Sequence, residues 1–334
     1  MFARLNRRKV YKSERLTLVR MGRKRGSQRA QSKRSEQSEN SSQSDSPQLS
    51  RGPPTCIVVV SQKGGIAKTT TAYNYADWLD KQGYRTLLID LDPQCDATSG
   101  FGVPASKHQR KGEHRNRYFL TDLLRQRSAI YANAASGANI ANNDGVSLWD
   151  VVIPVGSGKL KLLPGDEDLG AISLKPTTLA TRIKPFIQEF DFCVIDVNPD
   201  VNVLLSNAIL AAATFPRQSI LVPMHYGKWE REGLNRFLTT LEDFSGYFDP
   251  LAHLFVFLAR IDGRVRNARK AALEELEQFG DRLLRATVRQ NQAVQDAPDY
   301  GESIFGFSPR SQGARDYDAL FREHLSKLNS SSAK

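Results

Sequence analysis

Between the apolar, β-branched run Cys56–Ser61 and a helical stretch from Lys68 to Lys81 the chain reads Lys63-Gly64-Gly65-Ile66-Ala67-Lys68-Thr69-Thr70. A strand that runs through paired glycines into a helix opening on Lys-Thr-Thr leaves few folds open. Gly64 and Gly65 allow backbone N–H groups to close around phosphate oxygens. The helix that follows adds its free N–H groups and dipole. Lys68 is placed to put a point charge on the β- and γ-phosphates, and the Thr69 hydroxyl suits Mg²⁺. The expected nucleotide cradle is therefore Lys63, Gly64, Gly65, Ile66, Ala67, Lys68, Thr69 and Thr70. The strict pattern G-x-x-x-x-G-K-[ST] is not kept, because Gln62 and Ala67 occupy its glycine positions.

The rest of the chain alternates in the same way. Thr86–Asp92, Phe192–Asp196, Ser219–Pro223 and Leu254–Arg260 are short apolar runs typical of strands buried on both faces. Helical patterns fit at Val203–Ala212, Lys228–Phe244, Val265–Phe279 and Gly313–Leu328. Strands alternating with helices imply an α/β fold with a doubly wound, mostly parallel sheet, here of P-loop NTPase type. Ser106–Arg117 reads as a basic surface loop, and Ala132–Gly145 as an Ala/Asn/Gly loop.

Lys63 stands before the glycines, where an ordinary phosphate loop needs no lysine. With this residue the chain resembles the ParA/MinD group of partition and positioning ATPases, whose deviant Walker A loop carries such a lysine. The resemblance implies ATP with Mg²⁺ as ligands, hydrolysis of ATP to ADP and phosphate, and a nucleotide-sandwich dimer. In that dimer Lys63 reaches the partner's phosphates, stabilising the transferring group much as an arginine finger does. Leu87–Gln94, followed by Ala97–Gly102, is similar to the group's second nucleotide motif and implies that Asp92 positions the attacking water. Phe192–Pro199 is similar to Walker B and implies that Asp196 joins Thr69 in holding the metal. Catalysis is thus expected from Lys63, Lys68 and Asp92.

Glu232-Gly233-Leu234, Ile261–Arg264, Asp296-Ala297-Pro298 and Ser311–Ala314 are similar to ParA landmarks and fall in ParA order. The alternative, a MinD-like ATPase positioned on a membrane surface, implies a C-terminal amphipathic anchor. The last helical pattern here mixes Ala319, Leu320 and Leu325 with Asp316, Asp318, Arg322 and Glu323, which suits a helix that closes a domain. A ParA-like member implies a homodimer on ATP binding, nonspecific DNA, a ParB-like or cargo adaptor protein, and no membrane. Its location is cytoplasmic, associated with the nucleoid. Where the group has Pro-Arg-Asn beside the adenine, this chain has Arg289-Gln290-Asn291. Asn291 keeps the nucleotide-binding position, while Arg264, Arg266 and Arg289 are candidates for a DNA-binding surface. Ordinary solvated helix charges are the alternative for each of these arginines.

Charge separates the chain into parts. Residues 1–55 carry 14 Lys and Arg against Glu14, Glu36, Glu39 and Asp45, hence +10 of the total +11. Such a segment seeks a polyanion, nucleic acid first. Its Ser/Gln-rich composition offers too little apolar surface for a core. The expected organisation is a disordered basic tail over 1–55, a ParA-like ATPase domain over 56–328 and a flexible end over 329–334. No window approaches the ~18–20 apolar residues of a membrane helix. Cys56, Cys95 and Cys193 form no C-x-x-C pair, which argues against a zinc site and against a metal-cluster carrier on the same fold.

Overall fold

The computed structural model describes residues 52–61, 65, 67–105, 118–125, 146–156, 159–198, 202–225, 235, 237–247, 249–251, 253–262 and 266–331. Every residue of β1 (Thr55–Val59) is buried, as a β-branched run without polar alternation requires. It lies in a seven-stranded sheet with β2 (Thr86–Leu91), β3 (Ile153–Val155), β4 (Leu160–Leu163), β5 (Phe192–Val197), β6 (Arg217–Met224) and β7 (Leu254–Leu258), in the order β3-β4-β2-β5-β1-β6-β7. All neighbours run parallel except β3, which pairs antiparallel with β4.

From β1 the chain passes over β5 to β2, whereas from β5 it passes over β1 to β6. The winding therefore reverses between β1 and β5, and in open α/β sheets ligands bind beyond the strand ends at such a point. Val59 of β1 and Asp90 of β2 both stand in register with Asp196 of β5, so three strands finish together there.

Successive side chains on these strands serve opposite cores. Cys56, Val58, Ile89, Cys193 and Ile195 face one layer, with Leu179 and Ile183 from the helix Thr178–Ile183 and Leu204, Ala208 and Ile209 from the helix Asn202–Ala212. Ile57, Val59, Leu88 and Val194 face the other, with α1 (Lys68–Lys81) and the C-terminal helix Gln312–Ser331. Tyr75 stacks flat on Phe321, with ring centroids 4.1 Å apart, and Trp78 donates its indole N–H to Asp318 at 2.9 Å. His324 is fully buried between the Tyr75 hydroxyl and the Ser219 hydroxyl, 2.8 Å from each.

α1 has the expected bounds. It stops where Gly83 takes φ 90° and its N–H turns back to the Asp80 carbonyl at 2.8 Å. Of the helix expected at Lys228–Phe244, residues 235 and 237–242 are described and helical, while 243–244 form a turn. The helix expected to reach Phe279 ends at Leu276, in a 3₁₀ turn with Gly280 at φ 54°. β3 and β4 have no counterpart in the expectations. Each is short, and Pro154 occupies the middle of β3, which is tolerated only because that strand is at the sheet edge.

Candidate nucleotide site

Beyond the ends of β1, β2 and β5, the Lys68 ammonium lies 2.5 Å from Asp92 Oδ2 and 3.1 Å from Asp196 Oδ1. Lys68 reaches this point because it opens α1 directly after the loop from β1. Asp92 and Asp196 come from the ends of two strands that are neighbours in the sheet. Burial works against the ammonium, but Asp196 and Asp92 outweigh it and hold its pKa above the ordinary lysine value. Asp196 is fully buried, and that burial raises its pKa against the opposing Lys68 charge and Thr69 hydroxyl. Its Oδ2 is buried with no hydrogen-bond partner, an orphan acceptor that a hydrated divalent cation would satisfy. Among the described residues no cluster of three or more His, Cys, Asp or Glu is arranged to hold a metal.

Of the expected cradle, Gly65, Ala67, Lys68, Thr69 and Thr70 are described, while Lys63, Gly64 and Ile66 lie outside the described residues. Gly65 has φ 78°, and Ala67 precedes α1 at φ 63°, in the left-handed region that its missing glycine would have favoured. Ala67 makes no side-chain cap, so no side chain of that residue competes with an anion for the first N–H groups of α1. The Gly65 carbonyl accepts a hydrogen bond from Arg260 Nη1.

The second motif is organised by Asp90, which was not among the expected site residues. Its Oδ2 accepts from the Thr98 N–H at 2.7 Å and the Thr98 hydroxyl at 2.6 Å, and its Oδ1 accepts from the Asp92 N–H at 3.3 Å. Burial, then the charge of Asp196, pushes the Asp90 carboxyl up to about 7. Asp92 Oδ1 in turn accepts from the Gln94 N–H at 3.0 Å and from Asn198 Nδ2 at 3.4 Å. The turn after β4 closes against this group. A Cβ on Gly165 would stand 2.7 Å from the Asp90 carbonyl oxygen, so only glycine fits there. The signal for Asp90 was present in the sequence, since it is a carboxylate inside an apolar strand, two residues before Asp92, which directly follows that strand.

Asn291 and Arg289 are not part of this cluster. Asn291 precedes the short helix Gln292–Asp296 beside Gly313 of the C-terminal helix, and its Oδ1 is buried without a partner. Arg289 turns its guanidinium onto Asp316, with Nε at 2.9 Å and Nη2 at 2.6 Å. Arg264 lies outside the described residues, and Arg266 opens the helix Arg266–Leu276. No helix among the described residues is long and apolar enough to cross a membrane.

The family model of an AAA domain matches residues 54–251, more than half of the chain. The chromosome-partitioning ATPase Soj of Thermus thermophilus is 29% identical over 275 residues, which cover 81% of this chain and 96% of that protein. The chromosome partitioning protein ParA of Caulobacter vibrioides is 26% identical over 296 residues, covering 86% and 99%. The chain belongs to the ParA/Soj-type P-loop ATPases. The fold of this ParA/Soj-type chain is shared with a plasmid partition protein of Borrelia burgdorferi bound to AMPPNP, with TM-score 0.63 at 24% identity over 82% of this chain and 99% of that one. The similarity to ParA inferred from Lys63 and the ordered landmarks therefore holds across nearly the full length of its relatives.

Proposed function

We propose that this ParA/Soj-type chain hydrolyses ATP to ADP and phosphate, and that ATP binding builds a homodimer which holds DNA without sequence preference and positions a cargo through an adaptor protein. The observation that carries this reading is Lys68 lodged between Asp92 and Asp196, with the second oxygen of Asp196 unpartnered. A triphosphate is a stronger attraction for the ammonium than either carboxylate. On its arrival Lys68 leaves the carboxylates. Asp92 is then free to orient water, and Asp196 with Thr69 to hold Mg²⁺, which supplies charge neutralisation at the phosphates. Lys63 acts across the dimer, which ties hydrolysis to pairing. Arg264 and Arg266 contribute to the DNA face by contacts to phosphate, and the basic segment before residue 56 adds to it. Arg289 is held against Asp316 and is the weaker member of that face.

The test is size-exclusion chromatography with light scattering in the presence of ATP and Mg²⁺. Asp92→Ala is expected to bind ATP and accumulate as a dimer that retains nonspecific duplex. Lys68→Ala is expected to bind no ATP and stay monomeric. Lys63→Ala is expected to bind ATP with little turnover. A monomeric Asp92→Ala variant with full ATP occupancy would overturn the coupling of nucleotide to pairing, and wild-type turnover in Lys63→Ala would overturn the role of that lysine.

A further inference from the structure

Three described residues other than glycine take positive φ: Ala67, Cys95 and Arg260. Ala67 stands in the phosphate loop and Cys95 in the turn after Asp92, so two of the three belong to the nucleotide motifs. Left-handed backbone at non-glycine residues concentrates at functional sites, where the surroundings over-determine it. Arg260 belongs to neither motif. It follows β7, which β6 separates from β1, yet its guanidinium reaches the Gly65 carbonyl in the loop after β1.

The backbone on both sides of Arg260 is tied down. The Ala259 N–H donates to the Met224 carbonyl of β6 at 2.7 Å, the Ile261 N–H to the Val288 carbonyl at 3.2 Å, and the Gln290 N–H to the Ile261 carbonyl at 3.0 Å. The φ of 53° at Arg260 is the bend between these anchors, and the side chain itself is exposed rather than packed in the core. An exposed arginine held in a disfavoured backbone conformation, with its donor on the phosphate loop, contributes little as packing.

A peptide unit is planar and trans, so its N–H points opposite to its C=O. Fixing the Gly65 carbonyl toward Arg260 therefore fixes the orientation of that peptide plane. It also keeps a carbonyl dipole from turning toward phosphate oxygens, which it would repel. We propose that Arg260 is a positioning residue for the triphosphate, acting through Gly65 to hold that carbonyl away from the phosphate oxygens. This rests on the nucleotide reading of the site given above.

The probes are a non-hydrolysable ATP analogue with Mg²⁺, titrated calorimetrically, and steady-state hydrolysis of ATP. Both Arg260→Ala and Arg260→Gly lose the donor, but glycine also relieves the positive φ. Affinity should fall about tenfold in both, in line with the loss of a charge-assisted hydrogen bond. KM should rise while kcat changes less, and Arg260→Gly should melt no lower than wild type. Arg260→Lys, which keeps a cationic donor, should recover part of the affinity. Wild-type binding with both variants within twofold of it would overturn the inference alone. Affinity loss in Arg260→Gly accompanied by an equal fall in Tm, and not eased by Arg260→Lys, would also overturn it, since that pattern marks a merely structural residue. Failure of the wild type itself to bind the analogue would overturn the nucleotide reading and the inference together.

Discussion

Asp90 and Asp196 are register partners on the neighbouring strands β2 and β5, and both are fully buried. Two carboxyls in that position cannot both ionise freely, and the sheet resolves the conflict by giving Asp90 the Thr98 and Asp92 donors and giving Asp196 the Lys68 ammonium. Asp90→Ala would leave the Thr98 N–H, the Thr98 hydroxyl and the Asp92 N–H without their acceptor. Urea unfolding should show a loss of about 1–3 kcal/mol. ATP turnover should fall further than ATP affinity, because Asp92 loses a backbone restraint while Lys68 stays in place. An unchanged urea midpoint would contradict this account.

Ala67 holds a left-handed conformation that costs an L-residue with a Cβ roughly 1 kcal/mol relative to glycine. Ala67→Gly, which restores the glycine of the strict loop pattern, should therefore raise Tm by a few degrees in the absence of nucleotide, as differential scanning calorimetry would show. The gain is set against the greater freedom of glycine in the unfolded chain, so a lower Tm would mean that the methyl group packs usefully.

His324 supplies the pH dependence. Burial, then the nearby charge of Arg217, lowers its pKa to about 3, and the Tyr75 and Ser219 hydroxyls and the Phe255 ring also face it. In the unfolded chain it titrates near ~6.5. Between those values the unfolded state binds a proton that the folded state does not. The contribution of neutral His324 is thus complete above about pH 6.5 and is lost as pH falls toward 3, by at most about 1.4 kcal/mol per pH unit. The stability difference between wild type and His324→Gln should be flat above pH 7 and shrink from pH 6 to pH 4.5. A difference that stays constant with pH would show that the imidazole is not held neutral.

Deleting residues 1–50 removes most of the positive charge of the chain, since residues 1–55 carry +10 of the +11. Titration against nonspecific duplex at several salt concentrations should give weaker binding and a shallower slope of log affinity against log salt, because fewer counterions are released. Basal hydrolysis without DNA should change little. Equal slopes for the two proteins would place DNA binding entirely on the remainder of the chain.

The central strands were legible because burial on both faces leaves no polar alternation, and α1 because a positive-φ loop and Gly83 mark its two ends. Lys68, Asp92 and Asp196 could be found since the first two follow strands and the third lies at the end of one, in a recognisable order. What the sequence did not reveal depends on distance. β3 and β4 are too short to show a period, and their pairing becomes clear only beside β2. Arg260 gives no local sign of its role, since its partner is 195 residues away in the phosphate loop. Arg289 reads as a free surface cation until Asp316 is seen beneath it.

The stacking of Tyr75 on Phe321 has a consequence for synthesis of the chain. α1, which opens on Lys68, is covered on its aromatic side by the helix Gln312–Ser331, so that side has no cover while the helix is still inside the ribosome. A nascent chain that already contains Lys68, Asp92 and Asp196 therefore presents Tyr75 and Trp78 to solvent and to chaperones. The aromatic side of α1 is covered only once the helix Gln312–Ser331 has emerged.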